Sequence, residues 1–136
     1  MDNNKIIAKA LYRIAKELVS ANVANAEGKY ENFTGQIKWS GSSGKVQNAT
    51  FELNEDDGIL WKNGTWKSGT WFKGKWDNGT WEGDTWTSGT WKNGTWERGT
   101  WEDGIWWKGN WQSGTWEFGS DKSGKTYGKD YSPDLW

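Results

Sequence analysis

From Trp61 onward the chain places a large apolar ring at every fifth position: Trp61, Trp66, Trp71, Trp76, Trp81, Trp86, Trp91, Trp96, Trp101, Trp106, Trp111 and Trp116. Between the rings the residues are mostly polar or Gly, and the unit reads Trp-x-x-Gly-Thr. Gly fills the fourth place in eleven of the twelve units and Thr the fifth in eight, so the tract is a repeat array. The exception is Trp81-Glu82-Gly83-Asp84-Thr85, where Gly comes one place early. A period of five is neither that of a helix nor that of a strand, but it fits three strand residues followed by a two-residue turn. Asn63-Gly64, Asn78-Gly79 and Asn93-Gly94 stand at the expected turns. Asn-Gly is a strong hairpin signal, because a type I′ turn needs positive φ at both positions. Gly83-Asp84 suits the related type II′ turn.

The pattern predicts a mainly β protein: an N-terminal α-helix, then a repetitive antiparallel β-meander of very short strands. In that meander Trp61 opposes Trp66, Trp66 opposes Trp71, and all the indoles share one face. Twelve such strands make a ribbon about 55 Å long. The alternative is a β-solenoid with about four pentapeptide units per coil, in which the indoles point inward. Four Trp in one thin layer overfill such a coil. In the open ribbon the indole face exceeds what a soluble monomer leaves in water. It must be covered by curling, by the rest of the chain, by identical chains or by a ligand.

Upstream, Asp2, Asn3 or Asn4 can cap a helix. Ile7, Leu11, Ile14 and Leu18 then follow a 4-3-4 spacing, an apolar seam flanked by Lys9, Arg13, Lys16 and Glu17. Residues 1–28 are therefore read as an amphipathic helix for docking or oligomerisation. Residues 29–60 alternate apolar and polar across Phe33–Trp39 and Lys45–Leu53, with turn residues between, and form a β cap. The array occupies 61–119, and 120–136 form a C-terminal cap or tail.

Composition narrows the chemistry. Leu, Ile, Val and Phe together number only eighteen of 136 residues, so Trp must supply most of the buried apolar area. Cys and His are absent, which excludes thiol nucleophiles, Ser-His-Asp triads and the usual zinc sites. Seventeen basic residues face eighteen acidic ones, a net charge of −1, which gives no footprint for nucleic acid. No apolar run is long enough to span a membrane and no leader opens the chain, so the expectation is a soluble protein that is not Sec-exported. Asn-x-Thr triplets such as Asn63-Gly64-Thr65 are better explained as turns than as glycosylation sites. Glu55, Asp56 and Asp57 lack the spacing of a calcium loop. Glu97, Glu102 and Glu117 form no acid–base pair in a pocket. No catalytic residue, metal or cofactor is expected, and the chain is read as a non-enzyme. Exposed Trp could instead stack on sugars, the alternative reading of a carbohydrate-binding module.

The Trp-x-x-Gly-Thr tract of residues 61–119 resembles the tryptophan-rich short-repeat segments of structural proteins of tailed bacteriophages. The opening Ile-Ala-Lys-Ala-Leu-Tyr-Arg-Ile-Ala-Lys-Glu-Leu-Val also resembles short N-terminal helices of large-phage proteins. The resemblance implies a virion component: a rigid element anchored by its N-terminal helix in a capsid, tail or fibre and found in the host cytoplasm during assembly. Its implied partners are copies of itself or other structural proteins of the particle, with no nucleic acid or membrane, and a glycan as the lesser alternative.

Overall fold

A computed structural model describes residues 22–129 and 131–133. Three long strands come first after the short β1 (Val23–Ala24): β2 (Gly28–Trp39), β3 (Ser42–Asn54) and β4 (Gly58–Trp71). They pair antiparallel in sequence order. Their positions match the alternation read from Phe33–Trp39 and Lys45–Leu53. The links between them are tight turns at Ser40-Gly41 and Glu55-Asp56-Asp57.

From β4 onward the architecture changes from the expected meander to a β-solenoid. Trp61 pairs with Trp76, Trp66 with Trp81 and Trp71 with Trp86, all in parallel and all fifteen residues apart. One coil is therefore three pentapeptide units. The antiparallel meander is corrected, since neighbouring units do not oppose each other; the alternative, a β-solenoid with inward indoles, fits, with three units per coil where about four were expected. The first face carries β5 (Gly74–Trp76), β8 (Thr90–Trp91), β11 (Ile105–Trp106) and β14 (Gly119–Asp121). The second carries β6 (Thr80–Trp81), β9 (Thr95–Trp96) and β12 (Asn110–Trp111). The third carries β7 (Thr85–Trp86), β10 (Thr100–Trp101) and β13 (Thr115–Trp116). β4 runs through all three faces as the first coil.

Backbone geometry explains why Asn-Gly does not make hairpins here. A type I′ turn needs positive φ at both residues. Gly79 and Gly94 each have φ +128, but Asn63, Asn78 and Asn93 are not among the residues with positive φ. With only the Gly in that region, each dipeptide turns the chain through a corner and the strand continues onto the next face. At the Gly94 corner the coil before also comes close. A Cβ built there would lie 2.2 Å from the carbonyl oxygen of Gly79, so only Gly fits. The third place of the unit serves the same corner: Asn63 Oδ1 accepts from the Gly64 N–H at 2.9 Å, and Ser88 Oγ donates to the Phe72 carbonyl at 2.9 Å.

The irregular unit solves this differently. Asp84 occupies the corner place with φ +66, a left-handed conformation that Asp tolerates. Its Oδ2 accepts from the Gly69 N–H of the coil before at 2.7 Å.

The core is a column of indoles. All twelve periodic Trp are buried, with exposures of 0–4%. Successive coils stack them face to face, with centroids 4.7–5.3 Å apart and planes within 4–8°. Within the first coil Trp61, Trp66 and Trp71 meet edge to face in a closed triangle at 5.7–6.5 Å. Both arrangements suit the indole quadrupole. Three rings fill the section, which is the physical reason the coil closes at three units.

Both ends are capped. Phe51 stacks on Trp61 at 5.9 Å and Tyr30 on Phe51 at 5.0 Å, so β3 and β2 continue one aromatic column in antiparallel sense. At the other end β14 pairs antiparallel with β15 (Thr126–Tyr127), and Tyr131 meets Trp116 edge on at 5.8 Å.

Candidate functional site

The side chains singled out from the sequence divide into three groups. The twelve Trp form the core. The corner residues Asn63, Gly64, Asn78, Gly79, Asn93 and Gly94 link faces and do not close hairpins. Ile7, Leu11, Ile14 and Leu18 lie outside the described residues; of the helix expected over 1–28, residues 22–28 are described and hold β1 and the start of β2 instead, and among the described residues there is no helix.

The indole nitrogens show how tightly the column is built. Trp71, Trp86, Trp91 and Trp101 each donate to a corner carbonyl of the next coil, those of Ser88, Asp103, Lys108 and Phe118, at 3.1 Å. The same groups of Trp61, Trp66, Trp76, Trp81 and Trp96 are buried without a hydrogen-bond partner. Each forgoes about 1 kcal/mol or more that a bond would return. Stacking and burial outweigh that loss.

With the indoles inside, the outward faces carry the polar and charged side chains of the array. Residues either side of each Trp point out and line up in columns along the axis. The second face carries Thr65, Thr80 and Thr95 in one column, and Lys67 pairs with Glu82 at 3.1 Å in the next. The third carries Thr70, Thr85, Thr100 and Thr115 beside Phe72, Thr87, Glu102 and Glu117. The first face differs. Lys62 pairs with Asp77 at 3.8 Å, and Lys92 lies 5.1 Å above the ring of Trp107. A cavity of about 420 Å³ opens on this face toward the cap, lined in part by Tyr30, Phe51, Leu60, Lys62 and Lys75.

No family model, curated protein or solved structure matches the chain.

Among the described residues no group of His, Cys, Asp or Glu is placed to hold a metal ion. The carboxyl group shifted furthest among the described residues is Asp121, held at about 2 chiefly by the Ser123 hydroxyl, against the opposing effect of burial. Further bonds come from the Tyr127 hydroxyl and the Ser123 and Lys125 N–H groups. Burial and the adjoining Asp121 in turn push Tyr127 upward. These bonds fasten the β14–β15 hairpin.

Trp107 went unnoticed in the pattern of fives because it falls outside that pattern. The signal was its position beside Trp106: alternation along a strand sends one of two consecutive residues outward.

Proposed function

We propose that the chain is a non-enzymatic structural protein, a stiff β-solenoid tethered through its N-terminal segment in a larger homo- or hetero-oligomeric assembly. The observation that carries this reading is the continuous indole column. It joins all coils into one rod with short corner connections. Because the chain covers its own rings, the array needs no partner to shield them, and association falls to the seam of Ile7, Leu11, Ile14 and Leu18. The resemblance to tryptophan-rich phage segments makes a tailed-phage virion the assembly we favour. Burial of the twelve repeat indoles weighs against a glycan platform built from them.

The test uses the full chain. Sedimentation of the native protein is compared with that of Leu11→Asp and Ile14→Asp. Concentration-dependent assembly that both variants abolish, with unchanged blue-shifted Trp emission, supports a tethered rod. Identical monomeric behaviour of all three proteins overturns self-association through the tether. Mass spectrometry of purified particles tests the virion: absence of its peptides from the particle sinks that part.

A further inference from the structure

One Trp of the repeat region faces water. Trp107 is 41% exposed, and Ile105, two residues before it, is 38% exposed. They flank the buried Trp106 on the first face. Register places Ile105 beside Thr90 and Thr90 beside Lys75, forming one outward column. Asp77, Lys92 and Trp107 form the next, since Trp76, Trp91 and Trp106 stack between the two. Lys92 Nζ sits 5.1 Å from the Trp107 ring centroid. Lys75 and Lys92 stand diagonally across the first face on either side of the Trp76–Trp91 stack, and the neighbouring Lys75 lowers the Lys92 pKa while Asp77 opposes the shift. Asp77 is itself paired with Lys62. Two amino groups crowded together beside an exposed indole attract an anion that also offers an apolar surface.

We propose that Trp107, Lys75 and Lys92 form a subsite for an acidic pyranose, with its C–H face against the indole and its carboxylate between the two amino groups. A bare phosphate would use the lysines and leave Trp107 and Ile105 without a role. A nucleic acid strand needs an extended basic groove, and Asp77 interrupts this face. Two exposed apolar side chains are too small a patch for a stable protein interface. The subsite does not depend on the structural role above: a scaffold can carry it, and its failure would leave that role standing.

Titration calorimetry on the full chain tests the subsite with three probes: an oligogalacturonate, neutral maltotetraose and inorganic tripolyphosphate. Lys75→Thr and Trp107→Gln each install a residue used at the equivalent place of another unit, as in Thr90 and Gln112, so the coil is kept. Lys92→Gln is the second cationic variant, and an unchanged melting temperature certifies each fold. The expected result is oligogalacturonate binding at least tenfold tighter than maltotetraose, weakened at least tenfold by each variant. Absence of oligogalacturonate binding at millimolar concentration overturns the subsite. So does equal binding of the neutral sugar, or tripolyphosphate binding at least as tight and indifferent to Trp107→Gln.

Discussion

Trp81 lies face to face with Trp96, their ring centroids 5.0 Å apart and their planes 6° from parallel, although fifteen residues separate them along the chain. On its other side Trp81 stacks on Trp66 at 5.3 Å. Each interior ring is thus sandwiched between the coils before and after it, and the energy of the array sits in contacts between nearest-neighbour coils. Removing a ring at mid-column breaks two stacks and opens a void that the rigid coils cannot fill. Trp81→Ala should cost about 3–5 kcal/mol, the range for a buried large aromatic. Trp116→Ala, at the last coil, breaks one face-to-face stack, on Trp101, where Trp81→Ala breaks two, and should cost less. Urea unfolding of the two variants measures the difference; equal losses would contradict coil-by-coil coupling.

The split among indole nitrogens gives a second, finer expectation. Trp86 Nε1 donates to the Asp103 carbonyl at 3.1 Å, whereas Trp81 Nε1 is buried without a partner. Phe in either place loses similar volume. Only at Trp86 does it also remove a hydrogen bond and strand a carbonyl. Trp86→Phe should therefore be less stable than Trp81→Phe by about 1 kcal/mol. The comparison cancels the shared cavity effect, and a reversed order would show that the orphaned N–H groups are bonded in solution.

Two glycines separate conformational need from mere abundance. Gly94→Ala meets both a φ of +128 and a Gly79 carbonyl oxygen 2.2 Å from the new Cβ, so the coils must part. Backbone strain alone at such a site is about 1–3 kcal/mol, and the clash adds to it. Gly83 has no positive φ, and its Cβ would meet nothing closer than 3.9 Å. Gly83→Ala should be neutral or stabilising by up to about 1 kcal/mol, because it restricts the unfolded chain without strain. Thermal unfolding of both variants checks the contrast.

These contrasts also show what the sequence discloses. The five-residue period, the one-sided indoles and the strands of the cap could all be read directly, because side-chain alternation and Gly placement are local. Coil closure could not. Spacing along the chain says that Trp61 repeats at Trp66, but the choice between Trp66 and Trp76 as its sheet partner is made by the section of the core, where three rings fill the space. Asn63-Gly64 was ambiguous for a related reason. The same dipeptide serves a hairpin or a corner, and the φ of Asn, which no residue name reveals, decides between them. Asp84 was read as the second residue of a type II′ turn; it stands instead in the left-handed corner place and bonds across to Gly69. The first-face pair of Lys92 and Trp107 depends on the fifteen-residue coil and was invisible until that length was known.

Acid should open the C-terminal cap before the array. Asp121 has a pKa of about 2 in the folded chain against an ordinary 3.8, chiefly because of the Ser123 hydroxyl, with the Tyr127 hydroxyl and the Ser123 and Lys125 N–H groups adding to it. A carboxyl whose folded pKa is depressed stabilises the fold above its unfolded value, and that contribution fades as pH falls from there toward the folded value. The β14–β15 hairpin should hold fully above about pH 4 and loosen between about pH 4 and 2. This hairpin supplies the Tyr127 carbonyl that accepts from Trp116 Nε1 at 3.1 Å, so its release exposes the last indole of the column. The expected signal is a small red shift in Trp emission across that window while the far-ultraviolet circular dichroism of the coils persists. Asp121→Asn should show the shift already at neutral pH and no acid transition there. An acid profile unchanged by Asp121→Asn would place the titrating group elsewhere.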